Sequence, residues 1–154
     1  MSNSQQAGSP TLSRLLVLGR VFYKEVQYWC VGLTPEHYHL YQARRWSELE
    51  NFNASAKHLR KYLACSNKAQ VRAELGWCLG VLGRWAEAAT EYETATANWS
   101  HPALRLALAE ALFRSGNTQR GAEAVRNLET GDVAIDDSLR AALVNLKKEF
   151  GLAA

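Results

Sequence analysis

Histidine and cysteine are the side chains best suited to ligate a metal or to attack a substrate, and their spacing in this chain argues against both. His37 and His39 sit in Glu36-His37-Tyr38-His39. On a helix, residues two apart point about 200° apart, so both rings cannot reach one ion from that helix. His58 and His101 stand alone. Cys30, Cys65 and Cys78 form no CxxC, and each lies in an apolar stretch. They read as reduced core residues in a reducing compartment, which points to a cytoplasmic protein. Gly80-Val81-Leu82-Gly83 lacks the lysine of a phosphate cradle, and there is no Gly-x-Ser-x-Gly and no nucleophilic Cys/His signature. The expectation is a chain with no catalytic residues, no metal and no cofactor, and hence no enzyme.

Charge narrows the partners. Over 154 residues the net charge is +3, and the basic pairs Arg44-Arg45, Arg60-Lys61 and Lys147-Lys148 each have acids nearby. A phosphate-binding surface needs clustered cations, so nucleic acid is not expected. Nor is a membrane span. Leu12 to Leu33 is apolar but carries Arg14, Arg20, Lys24 and Glu25. A charge at the centre of a span costs about 2.5–3.5 kcal/mol. A chain of this length buries about 68–70% of its unfolded surface, enough for one domain without disulfide or metal.

The elements that position these residues are helical. Apolar residues recur at 3 and 4, and one pattern repeats at a spacing of 33. In the middle of the chain it reads Leu75-Gly76, Leu79, Gly83-Arg84-Trp85-Ala86-Glu87-Ala88, Tyr92, Ala95. Moving 33 forward gives Leu108-Ala109, Leu112, Gly116-Asn117-Thr118, Gly121, Val125 and Leu128. Moving 33 back gives Gln42-Ala43, Trp46, Glu50-Asn51-Phe52, Ser55, Leu59 and Tyr62. Small residues such as Gly76 let a second helix approach, a glycine ends the first helix, and Trp85, Ala88, Tyr92 and Ala95 form the inward stripe of the second. Three helix pairs are expected, at 36–68, 69–101 and 102–134 within 35–134. Residues 1–11 read as a disordered tail and 12–34 as an N-terminal helix. Residues 135–154 read as a helix capped by Asp136 or Asp137, closing the stack, plus a tail. Thr34 before Pro35, and Ser100 before Pro102, read as helix starts.

The pattern resembles the tetratricopeptide repeat family, closely at 69–101, well at 102–134 apart from Thr118, and least at 36–68, where Gln42 and Glu50 depart from it. The resemblance implies an all-α, right-handed solenoid of three such pairs, with an N-terminal helix and a C-terminal capping helix. It also implies a concave groove lined by first helices, and binding of another protein or peptide segment as adaptor, scaffold or chaperone. Expected groove residues are Leu40, Tyr41 and Arg44, then Ala73, Glu74, Trp77 and Val81, then Leu106, Glu110 and Phe113. Tyr41, Trp77 and Phe113 would form a slanted aromatic line. Trp77 suits either groove or core, while Trp46 and Trp85 suit the core. The positions at which family members grip a C-terminal carboxylate hold Leu40, Arg44, Glu74, Ala103 and Ala107 here, so that clamp is not expected.

Leu12 to Leu33 is apolar on two sides, which asks for two contacts. One is the first unit. The other could be a second copy of the chain, giving a homo-oligomer through residues 12–33, or a partner, the groove itself, or a membrane surface. The layout is also similar to class II chaperones of type III secretion. The alternative to an adaptor is a structural subunit docked into a larger complex through this N-terminal helix.

Overall fold

The computed structural model describes residues 34–131 and 135–152. The expectations for residues 1–33, including the N-terminal helix, its pairing and Cys30, lie outside the described residues. So do residues 132–134 of the loop before the last helix.

Seven α-helices and no strand are found among the described residues. They are α1 (Pro35–Glu48), α2 (Phe52–Cys65), α3 (Ala69–Val81), α4 (Trp85–Thr96), α5 (Pro102–Arg114), α6 (Thr118–Glu129) and α7 (Asp137–Glu149). Neighbouring helices pack in pairs, α1 on α2, α3 on α4 and α5 on α6. Each pair continues into the next through α2 on α3 and α4 on α5, and α7 leans on α5. This is an all-α, solenoid-like stack, and its second helices begin at Phe52, Trp85 and Thr118, 33 residues apart. No helix among the described residues is long and apolar enough to cross a membrane.

The turn between the helices of a pair is the same in every unit. After α3, Gly83 N–H donates to Gly80 C=O and Arg84 N–H to Leu79 C=O, both at 2.9 Å. Those two bonds close the orphan carbonyls of the helix end and require a left-handed residue between them. Gly83 meets that need at φ 73° and Gly116 at φ 87°. In the first unit Glu50 takes the same conformation, φ 58°, with Glu50 N–H on Ser47 C=O and Asn51 N–H on Trp46 C=O. The departure of Glu50 from the repeat is therefore one of residue type, while the backbone keeps the pattern.

Helix starts follow local chemistry less uniformly. Asp136, not Asp137, caps α7 through Leu139 N–H at 2.7 Å. That bond, then one from Ser138, holds its carboxyl below the usual carboxylate range. Thr34 precedes α1 without capping it, because its hydroxyl meets His37 Nδ1 at 2.7 Å. Ser100 accepts from Arg105 Nη2, and His101 is the residue before α5.

Small against large sets the packing. A Cβ on Gly76 would stand 2.7 Å from the Tyr92 ring, so α3 and α4 approach only because that side chain is missing. Ala88, Tyr92 and Ala95 are buried in one cluster with Leu59, Leu75 and Leu79. Each buried leucine contributes about 1.5–3 kcal/mol relative to exposure. A second cluster joins Ala109, Phe113, Val125, Leu128, Leu143 and Leu146 across α5, α6 and α7. Cys78 belongs to the core, but Cys65 does not. It ends α2 and is exposed, a correction to the core assignment, because the last turn faces solvent.

Candidate functional site

The outward face of α3 carries Trp77 and Val81, 50% and 49% exposed, one turn apart on a helix whose opposite side is core. Leu75, Cys78 and Leu79 take the buried side, which leaves position 77 no core to enter. Phe52, at the start of α2, supports the indole from one edge, with ring centroids 5.3 Å apart at 86°.

Arg44 of α1 and Glu74 of α3 close over the same place. Arg44 Nη2 donates to Glu74 Oε1 at 2.7 Å, and Nε lies 3.4 Å from Oε2, a two-pronged bridge between units. The Glu74 hydrogen bond raises the guanidinium above its ordinary value, so it is charged at any working pH. Beneath the bridge lies a cleft of about 440 Å³ lined by Ala43, Arg44, Ser47, Glu48, Ser55, Leu59, Glu74, Trp77 and Cys78. Burial pushes the Cys78 thiol up, and Ser55 Oγ lies 3.4 Å from its sulfur, so it is a neutral wall and not a nucleophile.

The expected site residues are only partly brought together. Arg44, Glu74 and Trp77 share the cleft. Leu40 and Ala73 are half-buried against the core, Tyr41 is half-buried, and Leu106 packs on the second cluster. Glu110 is partly exposed and holds Arg114 at 2.8 Å; Arg114 also reaches Glu149 and lies 5.1 Å over the Trp85 ring. Trp85 itself is half-buried against Gly80.

Phe113 is a correction. It is buried, stacked on Phe150 at 4.7 Å, with its ring 2.9 Å from where a Cβ on Gly121 would be. The slanted line of Tyr41, Trp77 and Phe113 therefore does not form. The outward column runs at the repeat spacing through Arg44, Trp77 and Glu110. Ser47, Ser55 and Phe52 were missed. Their signal was the absence of an aromatic in the first unit at the position that Tyr92 holds in the second.

His39 and His58 face each other between α1 and α2, Nδ1 to Nδ1 at 3.3 Å, with Tyr38 edge-on to both. Burial, and then Lys61, lowers the His39 pKa, which favours the neutral form of that ring. No group of three or more His, Cys, Asp or Glu among the described residues could hold a metal ion.

No protein-family model matches the chain, and no curated protein matches it either.

Proposed function

We propose that this chain is a tetratricopeptide-type protein of the cytoplasm that binds a polypeptide on its first-helix face and catalyses no reaction. The observation that carries this reading is Trp77, a half-exposed indole fixed by Phe52 at the edge of a cleft. A large aromatic held rigid and left open to water is the residue type that dominates binding energies. The charges around it support an apolar partner over an acidic or basic one. Arg44 is tied to Glu74, Arg45 to Glu48, and Arg114 to Glu110 and Glu149. Ions already paired at a rim add little affinity, so binding changes little with salt.

The test is recovery of the tagged chain from its native cell, compared with Trp77→Ala and with Val144→Ala, an exposed residue on α7. A stoichiometric polypeptide is expected with the parent chain and with Val144→Ala. Trp77→Ala weakens it by about 30-fold, which is roughly 2 kcal/mol, with helical circular dichroism unchanged. Equal recovery with Trp77→Ala, or no stoichiometric polypeptide from any of the three, sinks the reading.

A further inference from the structure

His39 on α1 and His58 on α2 face each other across the first helix pair, with Nδ1 3.3 Å from Nδ1 and ring centroids 5.5 Å apart. Both rings are half-buried, and Tyr38 packs edge-on against each of them, which limits their rotation. Burial favours the neutral form of His39, the form that ligates a metal.

The next unit shows what the fold sets at this place. Moving 33 residues on from His39 and His58 gives Arg72 and Glu91. Those two meet between α3 and α4, where Arg72 Nη1 donates to Glu91 Oε2 at 2.8 Å and both side chains are mostly buried. The second unit therefore sets a cation against an anion, and the first sets a base against a base. Two neutral imidazoles share a single hydrogen between the facing nitrogens, so one ring donates and the other accepts. The pair lacks the positive charge that Arg72 brings to Glu91.

Distance decides which cation fits. Zinc holds an imidazole nitrogen at about 2.0–2.1 Å and prefers a tetrahedral set, so two such bonds span about 3.3–3.4 Å between nitrogens. A square-planar ion, such as copper(II) or nickel(II), brings neighbouring nitrogens to about 2.8–3.0 Å. Magnesium and calcium take oxygen ligands instead. The observed 3.3 Å matches the tetrahedral pair. A hydrogen bond between the rings accounts for the same distance; what favours a cation is the position, which the second unit gives to an ion pair.

We propose that His39 and His58 form a two-histidine site for a tetrahedral divalent transition metal, zinc(II) by its geometry, which ties α1 to α2. Nδ1 of each ring ligates, the hydrogen of the donating ring passes through solvent to its own Nε2, and water fills the other two positions. No set of three or more His, Cys, Asp or Glu is available among the described residues, so the ion exchanges with solution. Lys61 bears on His39 and opposes a cation there, but it is exposed, and salt screens it. The proposal is independent of the groove reading.

The probe is zinc(II) chloride, titrated into the full chain without a histidine tag and followed by NMR of the histidine ring nitrogens. Nδ1 of His39 and of His58 are expected to shift together and saturate at one ion per chain, while His37 and His101 stay in place. Magnesium chloride produces no shift. Cobalt(II) in place of zinc gives the intense visible absorption of a tetrahedral ion. Zinc raises the thermal midpoint and slows amide exchange in α1 and α2 more than in α5 and α6, because it binds the folded first unit and not the open one. His39→Gln and His58→Gln each remove the saturable shifts. Should either variant not fold, the ring nitrogens of the parent chain decide alone. No saturable shift at millimolar zinc leaves the pair a hydrogen bond and overturns the proposal. Saturation at His37 or His101, binding retained in either folded variant, or an octahedral cobalt spectrum overturns it as well.

Discussion

Glu50 is held at φ 58° by the same pair of hydrogen bonds that hold Gly83 and Gly116. A side chain with a Cβ in that region carries about 1–2 kcal/mol of strain, whereas glycine carries none but gives up about 0.5–1 kcal/mol in the unfolded chain. The strain outweighs the entropy. Glu50→Gly is therefore expected to stabilise the protein by about 0.5–1 kcal/mol, read as a raised denaturant midpoint at unchanged slope. Glu50→Ala, which keeps the Cβ, gives no such gain. A midpoint lowered by Glu50→Gly would place the turn of the first unit in a different conformation.

At the scale of a helix pair, volume is conserved while its source changes sides. The second unit sets Gly80 of α3 beneath Trp85 of α4, where a Cβ on Gly80 would stand 3.0 Å from the indole. The third unit has Phe113 at the Gly80 position and Thr118 at the Trp85 position. The large residue has moved from second helix to first, and Gly121 makes the room. Phe113→Ala should cost about 3–5 kcal/mol, because it removes a buried ring packed between Gly121 and Phe150. Adding Thr118→Trp to Phe113→Ala rebuilds the arrangement of the second unit and should recover part of that loss in chemical denaturation. A double variant no more stable than Phe113→Ala would mean that the two positions do not share one space.

At the largest scale, the two clusters of buried residues found among the described residues matter more than the number of units. The larger spans α1 to α5 and the smaller joins α5, α6 and α7. Stacked units contact only their neighbours, so the ends open at lower free energy than the middle. Phe150 stacks on Phe113 from beyond α7 and ties the last helix down. Phe150→Ala should speed amide exchange in α7 and α6 while α3 and α4 keep their protection. Uniform acceleration along the chain would show that the stack opens as one unit. Ion pairs between second helices, Arg60 with Glu87 and Arg120 with Glu93, are half-exposed, and each contributes at most about 1 kcal/mol to this cohesion.

Period, helix type and the turns at Gly83 and Gly116 were legible in the residues alone, because they rest on local rules, whereas the cap expected at Thr34 does not form. Apolar residues at 3 and 4, small residues at Gly76 and Gly121, and glycines at 83 and 116 each act through a few bonds or one helix turn. The site was legible only in part. Trp77, Arg44 and Glu74 sit on an outward helix face, and periodicity finds faces. Phe113 was misplaced because its burial depends on which of two facing helices supplies the bulk, a choice made between residues 113, 118 and 121 and Phe150, and invisible along one helix. The cleft beside Leu59 was missed for the same reason. A cleft is a property of three helices at once, and only the packed structure decides whether their side chains close it.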